Sequence, residues 1–184
     1  MKKSLGAKHI ACPLPVWVIG TYDNDGRPNA ATAAWVGICA SDPPAVSVSL
    51  RKSRYTHENI LLRKAFTVNI PSESCLGETD YYGIVSGRQH DKLAETGFTP
   101  VRSELVDAPY IEDFPCIIEC KLQGSLETGS HTLFIGEVLD VKVDEAALED
   151  GLPDVAKLKP VLAMPATSSY YGVGKYLGKV RSLR

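Results

Sequence analysis

Two stretches of the chain are long, patterned and separated only by a turn. Pro115 to Leu126 alternates, with Ile118, Cys120 and Leu122 on one face and Glu119, Lys121 and Gln123 on the other. After Glu127-Thr128-Gly129-Ser130, the run Thr132 to Val143 begins with Leu133-Phe134-Ile135-Gly136, apolar on both faces, before Leu139, Val141 and Val143 resume a period of two. The first is expected to be a strand with its polar side outward, the second a central strand covered on both sides. A hairpin of this length needs further strands to cover it. The chain is therefore expected to be mainly β, a closed or half-closed barrel with a few short helices.

The remaining elements follow the same logic. Val16 to Tyr22 is β-branched and aromatic, and Asp23-Asn24-Asp25-Gly26 is a hairpin turn leading to a strand over Asn29 to Ala40. After Asp42-Pro43-Pro44, Ala45 to Arg51 places Val46, Val48 and Leu50 on one face and Ser47, Ser49 and Arg51 on the other. Thr56 to Lys64 reads as a helix with Thr56 as its cap, Glu58 in its first turn and Arg63-Lys64 in its last. Phe66 to Ile70 is a short strand stopped by Pro71, and Ser74 to Val85 a second helix. Asp91 caps a third, which Gly97 ends.

Composition narrows the function. The 184 residues carry 20 Lys+Arg against 22 Asp+Glu, a net charge of −2, which argues against a binder of nucleic acid. At 44% hydrophobic residues the chain can fill a core, so disorder is not expected. No repeat or linker interrupts it, and residues 1–184 are read as one domain. No apolar run reaches the ~20 residues that span a bilayer, and Met1-Lys2-Lys3 is not followed by a signal's apolar segment. Five cysteines without a C-x-x-C pair fit a reducing compartment, so the expected location is the cytosol, with no membrane partner. Cys116 and Cys120, ~13 Å apart along a strand, are beyond disulfide reach.

Three stretches carry candidate chemistry. Asn29-Ala30-Ala31-Thr32-Ala33-Ala34-Trp35-Val36-Gly37 is a strand of small residues. Either something flat approaches its backbone, or another element packs closely there. Ser49-Leu50-Arg51-Lys52-Ser53-Arg54-Tyr55-Thr56 brings cations to a helix start. That is a place for a terminal phosphate, or else a solvated basic loop. Ser86-Gly87-Arg88-Gln89-His90-Asp91-Lys92 repeats the theme of small residues and cations before a helix, and His131 follows a tight turn. The histidines at 9, 57, 90 and 131 have no metal-ligand spacing, and no metal is expected. There is neither a G-x-S-x-G elbow nor a Walker loop. Gly172-Val173-Gly174 with Gly178 misses the Rossmann fingerprint.

Taken together, these stretches resemble the flavin reductase-like family, with its FMN-binding split β-barrel, and within it the flavoredoxin branch. The resemblance rests on Asn29 to Gly37, Val46 to Leu50 leading to Arg54-Tyr55-Thr56, and Val68-Asn69-Ile70-Pro71-Ser72. It continues through Asp80-Tyr81-Tyr82-Gly83 with Ser86-Gly87, Asp91-Lys92, Ile118-Glu119-Cys120, and His131 to Val138. It implies a homodimer with flavin mononucleotide (FMN) as a non-covalent cofactor. By resemblance, Asn29, Thr32, Ala33, Ala34 and Trp35 line the isoalloxazine, and Ser49, Leu50, Arg51, Arg54 and Thr56 hold the ribityl chain and phosphate. Ser86, Gly87, Lys92 and His131 complete the pocket. Ala34 stands where the pattern often has Ser, and Met164 stands at the flavin-lid position in place of an aromatic. Redox chemistry takes place on the flavin, so no catalytic acid or base is expected from the chain. The implied activity is hydride transfer from NAD(P)H to FMN. The alternatives are a flavoredoxin-type electron carrier with a protein redox partner, or an FMN-binding protein without turnover.

Overall fold

The two long stretches form one antiparallel hairpin at the middle of a seven-stranded sheet. A computed structural model describes residues 1–180. Its strands in chain order are β1 (Leu14–Pro15), β2 (Trp17–Tyr22), β3 (Pro28–Ala33), β4 (Val36–Ser41), β5 (Pro44–Arg51), β6 (Ala65–Ile70), β7 (Pro100–Arg102) and β8 (Pro109–Ile111). There follow β9 (Cys116–Thr128), β10 (His131–Val143), β11 (Leu148–Glu149), β12 (Leu152–Pro153), β13 (Val161–Met164) and β14 (Ser169–Gly172). The helices are α1 (Tyr55–Arg63), α2 (Leu76–Ile84), α3 (Lys92–Thr96) and α4 (Val155–Leu158).

The main sheet runs β3-β2-β6-β9-β10-β5-β4, antiparallel throughout. Its edge strands β3 and β4 are consecutive in the chain and joined by Ala34-Trp35 alone. Two linking residues span only about 10 Å even when extended, so the two edges must lie side by side. The sheet is forced to curl into a split barrel. The uninterrupted strand expected over Asn29 to Ala40 is thus broken at Ala34-Trp35. One ribbon of small residues turns a corner and pairs with β2 before the bend and with β5 after it.

The barrel interior is filled from both halves of the ribbon. Trp17 and Ile19 of β2, Ala33 of β3, Val46, Val48 and Leu50 of β5, Phe66, Cys120 and Phe134 form one buried cluster with Ile60 of α1. Phe66 and Phe134 are fully buried, each contributing about 1.5–3 kcal/mol of apolar burial. A second cluster lies outside the barrel wall, where Tyr82 of α2, Leu93 of α3 and Ile111 of β8 cover Val18, Ala30 and Ile117.

That outer layer changes one sequence expectation. Glu119 faces away from the barrel interior as its alternation requires, yet it is fully buried. It shares a cross-strand row with Thr67 and Gly20, and Pro109 of β8 lies over that row, its carbonyl accepting from Thr67 Oγ1 at 2.6 Å. The carboxylate is held there by Lys142 Nζ from β10.

The helix ends divide similarly. Asp91 caps α3 by accepting from the Ala94 amide, and Gly97 closes it at φ +74°. Thr56, by contrast, is inside α1 and not its cap. The N-cap residue is Arg54, and among the described residues no side chain caps the helix.

Candidate functional site

An uncapped helix start leaves backbone N–H groups without partners, at the positive end of the helix dipole. In α1 this end is held by the chain leaving β5. Arg54 N donates to Arg51 O at 3.0 Å, and His57 N donates to Arg54 O at 3.0 Å. Tyr55 and Thr56 then line a cleft with Leu50, Arg51, Ser53 and Arg54. Ala31 and Thr32 of β3 form another side, and Tyr82, Val85, Ser86, Gly87 and Lys92 close it.

Among the described residues, three cations and no carboxylate line this cleft. Lys92 is almost wholly buried and donates to Ala30 O at 2.6 Å and Tyr82 O at 3.0 Å. Burial, reinforced by the nearby Arg54 charge, pushes its ammonium down to about 8. Arg54 Nη1 reaches Gly83 O at 3.3 Å, and Thr32 Oγ1 donates to Thr79 O. Gly87 is placed so that a Cβ would collide with Asn29 Oδ1 and press on the Tyr55 ring, so only glycine lets this wall approach. Positive charge, free amides and hydroxyls in a concave site select an anion with several oxygens. A terminal phosphate has those properties.

At the bend of the ribbon, Trp35 is flanked by two imidazoles. His131 lies 4.5 Å away at 35° between ring planes, and His9 lies 5.6 Å away at 60°. Burial and the Arg51 charge hold His131 below its ordinary range. Ala34, Trp35 and Val36 also line a shallow apolar pocket with Lys8 to Ala11 and Leu14.

Of the residues singled out in the sequence, Thr32, Leu50, Arg51, Arg54, Thr56, Ser86, Gly87 and Lys92 line the cationic cleft together. Trp35 and His131 stack beside each other, and Ser49 N donates to Trp35 O at 2.9 Å. Ala34 sits in the apolar pocket and Ala33 in the barrel core. Asn29 stands behind Thr56, its Nδ2 donating to Thr56 Oγ1 at 3.0 Å. Met164 ends β13, in a separate three-stranded sheet with β1 and β14, and lines none of these clefts. Sequence reasoning did not single out Ala31, Ser53, Tyr55, Tyr82 and Val85 as site residues, though all five line the cleft. Ser53 and Tyr55 lie inside the basic stretch and could have been taken with it. Tyr82 entered only within Asp80-Tyr81-Tyr82-Gly83, a stretch that carries the family resemblance.

Residues 10–164 match the family model of the flavin reductase like domain. The chain belongs to the flavin reductase-like family. It is 53% identical to the flavoredoxin of Desulfovibrio vulgaris (Miyazaki F), covering 99% of this chain and 98% of that one, with a TM-score of 0.95. The flavoredoxin from Methanosarcina acetivorans superposes at a TM-score of 0.92 with 31% identity, covering 99% and 97% of the two chains. A high molecular weight rubredoxin of Moorella thermoacetica is 33% identical over 125 residues, which are 67% of this chain and 53% of that longer protein. The curled seven-stranded sheet of this flavin reductase-like protein is the family's split barrel.

Proposed function

We propose that this flavin reductase-like protein binds FMN and acts as an oxidoreductase that accepts hydride from NAD(P)H. The observation that carries this reading is the cleft at the uncapped start of α1, where Arg51, Arg54 and Lys92 meet the Thr56 hydroxyl with no acid among them. Arg51, Ser53, Arg54 and Thr56 would hold the phosphate. Leu50, Ser86 and Gly87 would flank the ribityl chain, and Trp35 with His131 the ring. The flavoredoxin relatives lend the flavin its chemical identity. FMN supplies the hydride and electron chemistry when bound. The chain's own residues bind it, orient it and exclude water from its phosphate end.

Residues 1–184 form one flavin-binding domain in this reading, working in the cytosol as a homodimer. Edge strands exposed to solvent usually carry charge or proline. Strand β4, Val36–Ser41, carries neither, and Ile38 on it is 82% exposed. A second copy covering this strand accounts for that exposure, and Ile38→Lys is expected to shift the protein toward monomer in light scattering.

A second reading has its own support. The rubredoxin-named relative is nearly twice as long as the segment it shares with this chain, which suits a flavin domain that exchanges electrons with another redox protein. Anaerobic titration of the FMN-loaded protein separates the two. Prompt bleaching of the flavin by NADH or NADPH supports the reductase. Bleaching by a reduced rubredoxin, with none from either nicotinamide, supports the electron carrier and rejects the reductase.

A further inference from the structure

We propose that Asn29 is a positioning residue. It aims the Thr56 hydroxyl proton into the cationic cleft and thereby makes the site select a phosphorylated flavin over its dephosphorylated form. This rests on the FMN reading of the cleft and assigns Asn29 a role different from lining the ring.

Asn29 and Thr56 are both almost wholly buried, 27 residues apart on β3 and α1. The Asn29 amide donates from Nδ2 to Thr56 Oγ1 at 3.0 Å. A hydroxyl that accepts a hydrogen bond still has its own proton to give. Among the described residues no protein acceptor takes the Thr56 proton, and Thr56 faces the cleft beside Arg54 and the free amides of α1. The proton is therefore available to an anion there.

The other end of the same amide makes the orientation informative. Among the described residues, Asn29 Oδ1 is buried with no hydrogen-bond partner. It is wedged against Gly87, where any Cβ would collide with it, and the Tyr55 ring closes the same corner. An unpartnered buried carbonyl oxygen is unfavourable and uncommon. Reversing the amide would make Thr56 spend its proton on Asn29. Only hydroxyl lone pairs would then face the cleft, opposing a phosphate. The orientation seen leaves one oxygen unmet and turns Thr56 into a donor for the ligand.

The test is a double-mutant cycle on flavin-free protein, titrated in parallel with FMN and riboflavin. Asn29→Ala is expected to weaken FMN roughly ten- to a hundredfold while riboflavin changes less than about twofold. Asn29→Asp, whose carboxylate must accept from Thr56, is expected to lose at least as much FMN affinity. On a Thr56→Val background, Asn29→Ala is expected to change FMN affinity by less than about twofold. Asn29→Ser serves in place of Asn29→Ala where the alanine variant loses its wild-type near-ultraviolet circular dichroism. Equal losses for FMN and riboflavin, or additive effects of the two substitutions on FMN, overturn the proposal while leaving the flavin site standing. Wild-type protein that binds neither flavin overturns the site itself, and this proposal with it.

Discussion

Lys92 Nζ donates to the Ala30 carbonyl at 2.6 Å, tying α3 to the small-residue ribbon of β3 beside the cleft. The same ammonium donates to Tyr82 O and stands near Arg54, so its charge is desolvated and opposed by a like charge. Its folded value of about 8 lies below the ~10.4 of an unfolded lysine. Between those values the unfolded chain binds more protons, so this group's contribution to stability rises with pH across the window. Below pH 8 the penalty of burying the charge is fully present. Flavin-free protein in urea is expected to gain stability relative to Lys92→Met between pH 8 and 10. FMN affinity is expected to fall several-fold over the same interval as the cation is lost, and Lys92→Met is expected to lack that fall.

Arg54 and Thr56 supply charge and a hydroxyl to the same end of the cleft. The double substitution Arg54→Ala/Thr56→Ala is expected to weaken FMN about a hundredfold, since charge-assisted hydrogen bonds are the strong ones. Riboflavin affinity should move much less. Isothermal titration with both ligands checks this, and equal losses would mean that the phosphate lies elsewhere.

Glu119 is buried with Oε1 unpartnered, while Lys142, its partner through Oε2, is 41% exposed. Removing the lysine leaves an unpaired carboxylate inside, whereas Glu119→Gln leaves a lysine that can turn to solvent and to Asp140 at 2.7 Å. Lys142→Met is therefore expected to cost about 3–5 kcal/mol and Glu119→Gln less. Chemical denaturation of the two variants gives the order, and the reverse order would contradict it.

Gly136 lies where β10 passes over the barrel core. A Cβ there would press into the Phe66 ring and stand 2.9 Å from Cys120 Cβ. Both neighbours are fully buried and have nowhere to move. Gly136→Ala is expected to cost about 1–3 kcal/mol of overpacking, seen as a lowered thermal midpoint.

What the sequence made legible was local. The β9–β10 hairpin, the Asp23–Gly26 turn and the Asp91–Gly97 helix were readable because period, turn chemistry and caps all lie within a few residues. The bend at Ala34-Trp35 was not, because the two halves of the ribbon differ only in which distant strand they pair with. Burial of Glu119 was hidden for a similar reason, since β8 covers a strand whose own pattern is that of an exposed face. In the site, the basic stretch before α1 and the Ser86–Lys92 connection were visible as charge and small residues. The relation of Asn29 to Thr56 needed the fold, because the two are 27 positions apart with two strands between them. Tyr82 was unreadable as a cleft residue because its side chain also fills the outer core.

The most direct measurement is a titration of the flavin-free protein with FMN and with riboflavin under identical conditions. Saturable one-to-one uptake of FMN at micromolar concentration or below, with markedly weaker uptake of riboflavin, is the expected result. Protein that takes up neither, or that binds riboflavin as tightly as FMN, would contradict a phosphate held by Arg51, Arg54 and Thr56 at the start of α1.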